Sequence, residues 1–152
     1  MTRRICLALG LTACIFTVGQ PRPASAQNET EALTEAFGMS LPKFPEGDEL
    51  KAMVEAASSQ PLGSAENPVR VGAIRDAYVY ISRLQCADGT RPDARRLGTS
   101  PKMPFGRLVD AYRVDCGRRA PGQVEVHIDS YHPGHQESRA PAGFTLGATP
   151  LR

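Results

Sequence analysis

The stretch Ala77–Cys86, AYVYISRLQC, decides how the rest of the chain is arranged around it. Rich in β-branched and aromatic residues, it is predicted to be a strand with Val79 and Ile81 on one face and Tyr78, Tyr80, Leu84 and Cys86 on the other. Arg107–Cys116 (RLVDAYRVDC) alternates likewise and brings Leu108, Tyr112, Val114 and Cys116 together. In Gln123–Tyr131 (QVEVHIDSY), Val124, Val126, Ile128 and Ser130 share one face, while Glu125, His127, Asp129 and Tyr131 share the opposite, wetter one. Val69–Val71 begins a further short strand. Alternation of this kind describes a sheet buried on one side, as when helices cover it.

The stretch ends on a cysteine that restricts the topology. Beyond Cys6 and Cys14 near the start, the chain has Cys86 and Cys116, and two thiols in an oxidising compartment form a disulfide. A redox role is disfavoured, since neither belongs to a C-x-x-C arrangement. In a simple hairpin of Ala77–Cys86 with Arg107–Cys116 the two cysteines would stand ~25 to 30 Å apart, whereas a disulfide needs Cα atoms within ~7 Å. Either both strands end at the same edge of the sheet or no bond forms. The connection Ala87–Gly106, with Asp88-Gly89, Pro92, Gly98, Pro101 and Pro104, is predicted to be a loop long enough for that return. Gly117–Gly122 is short, ends in Pro121-Gly122 and suits a hairpin into Gln123–Tyr131.

Upstream the period lengthens to that of a helix. Asn28–Met39 (NETEALTEAFGM) offers Asn28 or Thr30 as a cap, Leu33 and Phe37 four apart, and Gly38 as a stop. After the linker SLPKFPEG, the segment Asp48–Ser58 opens with two acids and places Leu50, Met53, Val54 and Ala57 at i, i+3, i+4 and i+7. The expected fold is α+β, with two N-terminal helices packed on a small mixed or antiparallel sheet and one disulfide.

Arg3 and Arg4 precede an apolar run, Ile5–Gly19, which gives way to polar residues and Ala24-Ser25-Ala26. That order is a secretory signal with cleavage after Ala26. The run is too short, against ~20 apolar residues, to span a membrane. Leu11-Thr12-Ala13-Cys14 resembles a lipoprotein box, but the chain stays apolar after Cys14; Arg3-Arg4 as a twin-arginine address lacks a cofactor motif to justify it. Sec export to the periplasm or the exterior is the expectation, with a lipoprotein at Cys14 as the alternative. Residues 1–26 carry three of the 18 basic side chains and none of the 16 acidic ones, so the remainder holds 15 against 16. The pI near 8.4 thus belongs to the precursor and is no argument for nucleic-acid binding. The 126 residues left after removing 26 from 152 suit one domain: an acidic helical part, residues 27–66, and a β-rich part, residues 67–152.

Several segments, LGSAENPVRV (Leu62–Val71), RLQCADG (Arg83–Gly89), VDAYRVDC (Val109–Cys116), IDSYHPG (Ile128–Gly134) and RAPAGF (Arg139–Phe144), together resemble small exported bacterial proteins of uncharacterised function. The resemblance implies a secreted small domain and carries no activity with it.

Candidate sites are two. Residues 67–152 hold 13 basic and eight acidic groups, and Arg91, Arg95, Arg96 and Lys102 form a candidate partner surface within the predicted loop, beside Arg107, Arg113, Arg118 and Arg119. No aromatic residues interleave Arg91–Lys102, as a nucleic-acid stacking platform requires. Every histidine falls in His127–Glu137 (HIDSYHPGHQE), where His127, Asp129, His132 and His135 are candidate ligands for zinc or copper. The spacing H-x4-H-x2-H matches no recognised ligand signature. No G-x-S-x-G elbow or phosphate-cradling glycine loop is present, and Asp110 and Asp115 fall on opposite strand faces. The expected function is a non-enzymatic binding or interaction module for a protein or an anionic envelope component, without a cofactor. A metal-binding protein using the histidine stretch is the rival.

Overall fold

The computed structural model describes residues 43–148. The signal segment 1–26, its cleavage site after Ala26, Cys14 and the predicted helix Asn28–Met39 lie outside the described residues. Those described belong to one compact unit, Lys43–Arg152. Among the described residues, two helices, a mixed four-stranded sheet and a two-stranded sheet give an α+β fold. Among the described residues no helix is long and apolar enough to cross a membrane.

Helix α1, Gly47–Ala57, forms where the acidic first turn and the apolar spacing require it. Leu50, Met53, Val54 and Ala57 make its half-buried side, but none of its residues is fully buried, so it lies on the surface.

Ala77–Cys86, by contrast, is not a strand. Helix α2, Ile74–Arg83, takes most of it, and only Leu84–Gln85 (β2) is extended. Ala77, Tyr80, Ile81 and Leu84 also stand at i, i+3, i+4 and i+7; Ala77, Tyr80 and Leu84 enter the core while Ile81 packs against it. Tyr78 and Val79, which a strand would place on opposite faces, are 57% and 37% exposed. Asp76 in the first turn and Arg83 in the last suit the helix dipole. Packing against the sheet thus overrides the β preference of the tyrosines, Val79 and Ile81.

The larger sheet contains β1 (Val69–Arg70), β3 (Asp93–Thr99), β4 (Val109–Asp115) and β5 (Gln123–Asp129) in the order β1-β5-β4-β3. The pairs β3·β4 and β4·β5 are antiparallel and β1·β5 is parallel. The hairpin expected at Gly117–Gly122 joins β4 to β5. The predicted loop Ala87–Gly106 instead contains β3, an edge strand whose run of charged residues hid its pairing with β4.

One face of this sheet, with Val69, Tyr112, Val114, Val126 and Ile128, packs under Ala77, Tyr80 and Leu84 with Phe144 to form the main core. Cys86 and Cys116 are bonded within it, their Cα atoms 5.9 Å apart. A helix followed by a two-residue strand brings Cys86 to the C-terminal end of β4, which a plain hairpin could not do. Strand β2 pairs antiparallel with β6, Thr145–Leu146, and the Tyr80 hydroxyl donates to Arg139 O at 2.8 Å. These contacts lash α2 to the C-terminal segment. Leu108, expected beside Tyr112 and Val114, precedes β4 and is 53% exposed.

Candidate functional site

The second face of the sheet is only in part the wet surface that alternation suggested: Glu125 and Tyr131 are exposed, but the end with His127 and Asp129 is covered. Register puts Asp129 beside Val109 and Arg70, and His127 beside Ala111. Val109 and Asp129 are fully buried, and Ala111 and His127 nearly so. The chain from Ser100 to Leu108 delivers the buried Phe105 to this end of the sheet, where its ring meets His132 edge to face with centroids 5.8 Å apart.

Beyond β5 the backbone is tightly held. Val71 N–H donates to Asp129 O at 2.9 Å, His132 N–H to Val71 O at 3.1 Å, and His135 N–H to His132 O at 2.9 Å. Asp129 Oδ1 accepts from the Tyr131 N–H at 3.1 Å, closing the turn locally. The Tyr131–His135 bend is therefore a rigid rim.

The four candidate metal ligands do not converge. His132 Nε2 and Asp129 Oδ2 are 2.9 Å apart, yet without hydrogen-bond alignment, so both buried atoms lack a hydrogen-bond partner among the described residues. His127 turns its Nε2 to Glu125 Oε1 at 3.0 Å, leaving a buried Nδ1 that no described residue pairs. His135 is half-buried, with an Nε2 that has no hydrogen-bond partner among the described residues. Burial, then the charge of Arg70, pushes its imidazole below the usual histidine value. Among the described residues no three histidine, cysteine, aspartate or glutamate side chains are placed to hold a metal ion.

Nor do Arg91, Arg95, Arg96 and Lys102 form one basic patch. Arg95 and Arg96 are neighbours on β3 and so point to opposite faces. Arg96 is paired with Asp110 at 2.7 Å and Lys102 with Glu66. Arg95 stands across from Arg113, and Arg91 is exposed ahead of the strand.

What the fold does gather is a cleft of about 370 Å3 between the start of α1 and the Tyr131–His135 rim. Arg70, Arg107, His132 and His135 line it, with Leu50 and Pro133 as apolar walls. Arg107 is largely committed: it donates to Tyr131 O and, at 3.5 Å, to Pro45 O, and it lies 5.2 Å from the Phe44 ring centroid. Its Nε is buried without a hydrogen-bond partner among the described residues, and Glu46, 84% exposed, approaches its guanidinium at 3.9 Å from the start of α1.

Arg70 is different. Half-buried, it has no ion pair and no side-chain hydrogen bond among the described residues. Its nearest aromatic contact is Phe105, 6.0 Å from guanidinium carbon to ring centroid. Burial lowers its pKa, against the attraction of Glu137 and Asp129. Glu137 itself is occupied by Arg139, whose Nε and Nη2 donate to its two oxygens at 3.0 Å each.

A guanidinium offers planar donors suited to carboxylate or phosphate, and the adjoining imidazoles add hydrogen-bonding nitrogens. The arrangement can therefore recognise an anion. Sequence reasoning found the histidines and counted Arg107 as surface, but it missed Arg70. The available signal was the V-R-V alternation, which puts that arginine on the face opposite Val69 and Val71. Compared with known proteins, the chain matches no family model, no curated protein and no solved structure.

Proposed function

We propose that this protein is a non-enzymatic, exported binding module that takes an anionic partner, a protein or an envelope component, in the cleft beside Arg70. The observation that carries the reading is the half-buried Arg70 guanidinium, which lines the cleft without an ion pair among the described residues. A partly desolvated cation is costly unless a counter-charge completes it. Glu137 and Asp129 supply some of that charge, but Glu137 is already paired with Arg139. The disulfide accords with an oxidising compartment, and a partner outside the cytosol is expected to be an anionic small molecule, surface or protein rather than nucleic acid.

The test is proton NMR of the histidine ring signals while phosphate or citrate is added at low ionic strength. Saturable shifts of the His132 and His135 signals are expected, weakened by salt and lost in Arg70→Gln. Signals that stay still up to about 10 mM of either anion, a range that reaches millimolar affinity, would rule the reading out.

A further inference from the structure

A second depression, of about 500 Å3, adjoins the Arg70 cleft, and Arg107, Tyr131 and Pro133 border both. Both volumes lie within the ~300 to 1,000 Å3 of small-molecule sites. Past Pro133 the wall becomes more apolar: Gly72, Ala73 and Ile74, where the chain enters α2, form it together with Ser130. Ile74 and Tyr131 are 51% and 39% exposed. Scattered exposed apolar residues need no explanation, but these two face one concave surface that runs directly into a cationic one. Arg75, on the far rim, is engaged with Asp76 at 3.6 Å.

The divide between the two basins is held in place. Tyr131 N–H is bonded to Asp129, its carbonyl accepts from Arg107, and Pro133 follows in a fixed backbone conformation. A molecule that occupies both basins crosses this ridge, meeting mainly donors on one side and mainly hydrocarbon on the other.

We propose that the two basins form a single amphipathic site for a single-chain amphiphile with an anionic head, of which a medium-chain carboxylate is the simplest member. The head lies at Arg70 and His135, and the chain crosses Tyr131 and Pro133 to end on Ile74. This rests on the anion reading of the Arg70 cleft and extends it.

Titration calorimetry of the purified protein with butyrate, decanoate and decyltrimethylammonium, each below its micelle concentration, tests it. Decanoate is expected to bind at least about tenfold more tightly than butyrate, since full burial of one methylene is worth up to about fourfold; the cation is expected not to bind. Arg70→Gln should weaken both acids by a similar factor. Ile74→Ser, at an exposed position where folding is not at stake, should bring decanoate to within about threefold of butyrate. Equal affinities for the two acids, both lost in Arg70→Gln, would overturn the chain site and leave the anion cleft standing. Equal affinities for decanoate and the ammonium compound would overturn the head site, and no binding of either acid would overturn both readings.

Discussion

Glu137 illustrates how this fold accommodates a buried charge. Its side chain is 5% exposed, and Oε1 accepts from the Ser138 and Arg139 backbone N–H groups and from Arg139 Nε, each at 3.0 Å. Burial pushes its carboxyl up, but the hydrogen bonds and charge of Arg139 outweigh that and hold it below the usual value. Arg139→Ala should therefore cost about 1 kcal/mol in urea unfolding, since the carboxylate keeps its two backbone donors and loses only the guanidinium; an unchanged midpoint would show the pair to be idle. His135 sets a separate pH dependence. Its folded-state pKa is depressed, so below the unfolded value near 6.5 the unfolded chain takes up the proton first, and stability falls with pH. Glu137, also depressed, contributes stability above about 4.5, its unfolded value, and loses it as pH falls through its folded value. Arg70 on β1, His132, Glu137 and Arg139 all act on the His135 ring. The melting temperature should drop between pH 7.5 and 5, and His135→Gln should flatten that drop; parallel curves would assign it to other groups.

At the scale of elements, the two helices differ in what holds them. α1 has no fully buried residue, whereas α2 places Ala77 and Tyr80 in the core and ties Tyr80 to Arg139 O. Hydrogen exchange should find the amides of α1 opening well before those of α2. Tyr80→Ala should lose about 3 to 5 kcal/mol, the range for deleting a core aromatic, and Leu50→Ala less than about 2 kcal/mol, below the range for a fully buried leucine. Comparable losses would contradict the unequal burial. α1 was legible because its i, i+3, i+4, i+7 pattern competes with no strand pattern. α2 was misread because Tyr78–Ile81 satisfies both periods, and which side of Tyr78 and Val79 is wet depends on the sheet beneath. β3 was missed for the opposite reason: Asp93, Arg95 and Arg96 suggest solvent, and only β4 beside them makes a strand.

Across the whole molecule, the Cys86–Cys116 bond closes a loop with a sequence separation of 30 between α2 and the end of β4. Loop-closure entropy makes it worth about 3 to 4 kcal/mol, so Cys86→Ala, Cys116→Ala should unfold at correspondingly lower denaturant; no change would mean that native contacts compensate. The tip of the β4·β5 hairpin also meets the C-terminal segment, where a Cβ on Gly143 would come within 2.7 Å of Pro121 Cβ. With φ +84° besides, Gly143→Ala is expected to destabilise the protein measurably in the same assay.

The sequence by itself determined what local spacing can encode: the core-facing alternation of β4 and β5, the hairpin between them, helix α1 and the two cysteines available for a disulfide. Tertiary structure decided the rest, because burial is a property of what covers a segment and not of the segment. Phe105 and the Tyr131–His135 rim cover one end of the polar face of β5, so Asp129 is buried, while His127 turns to Glu125 on its own strand. Parallel pairing of β1 with β5 then sets Arg70 beside Asp129, 59 residues later in the chain, so the V-R-V alternation gives the arginine's face but not its neighbour. That long-range register, which no periodicity within either strand contains, makes the cleft.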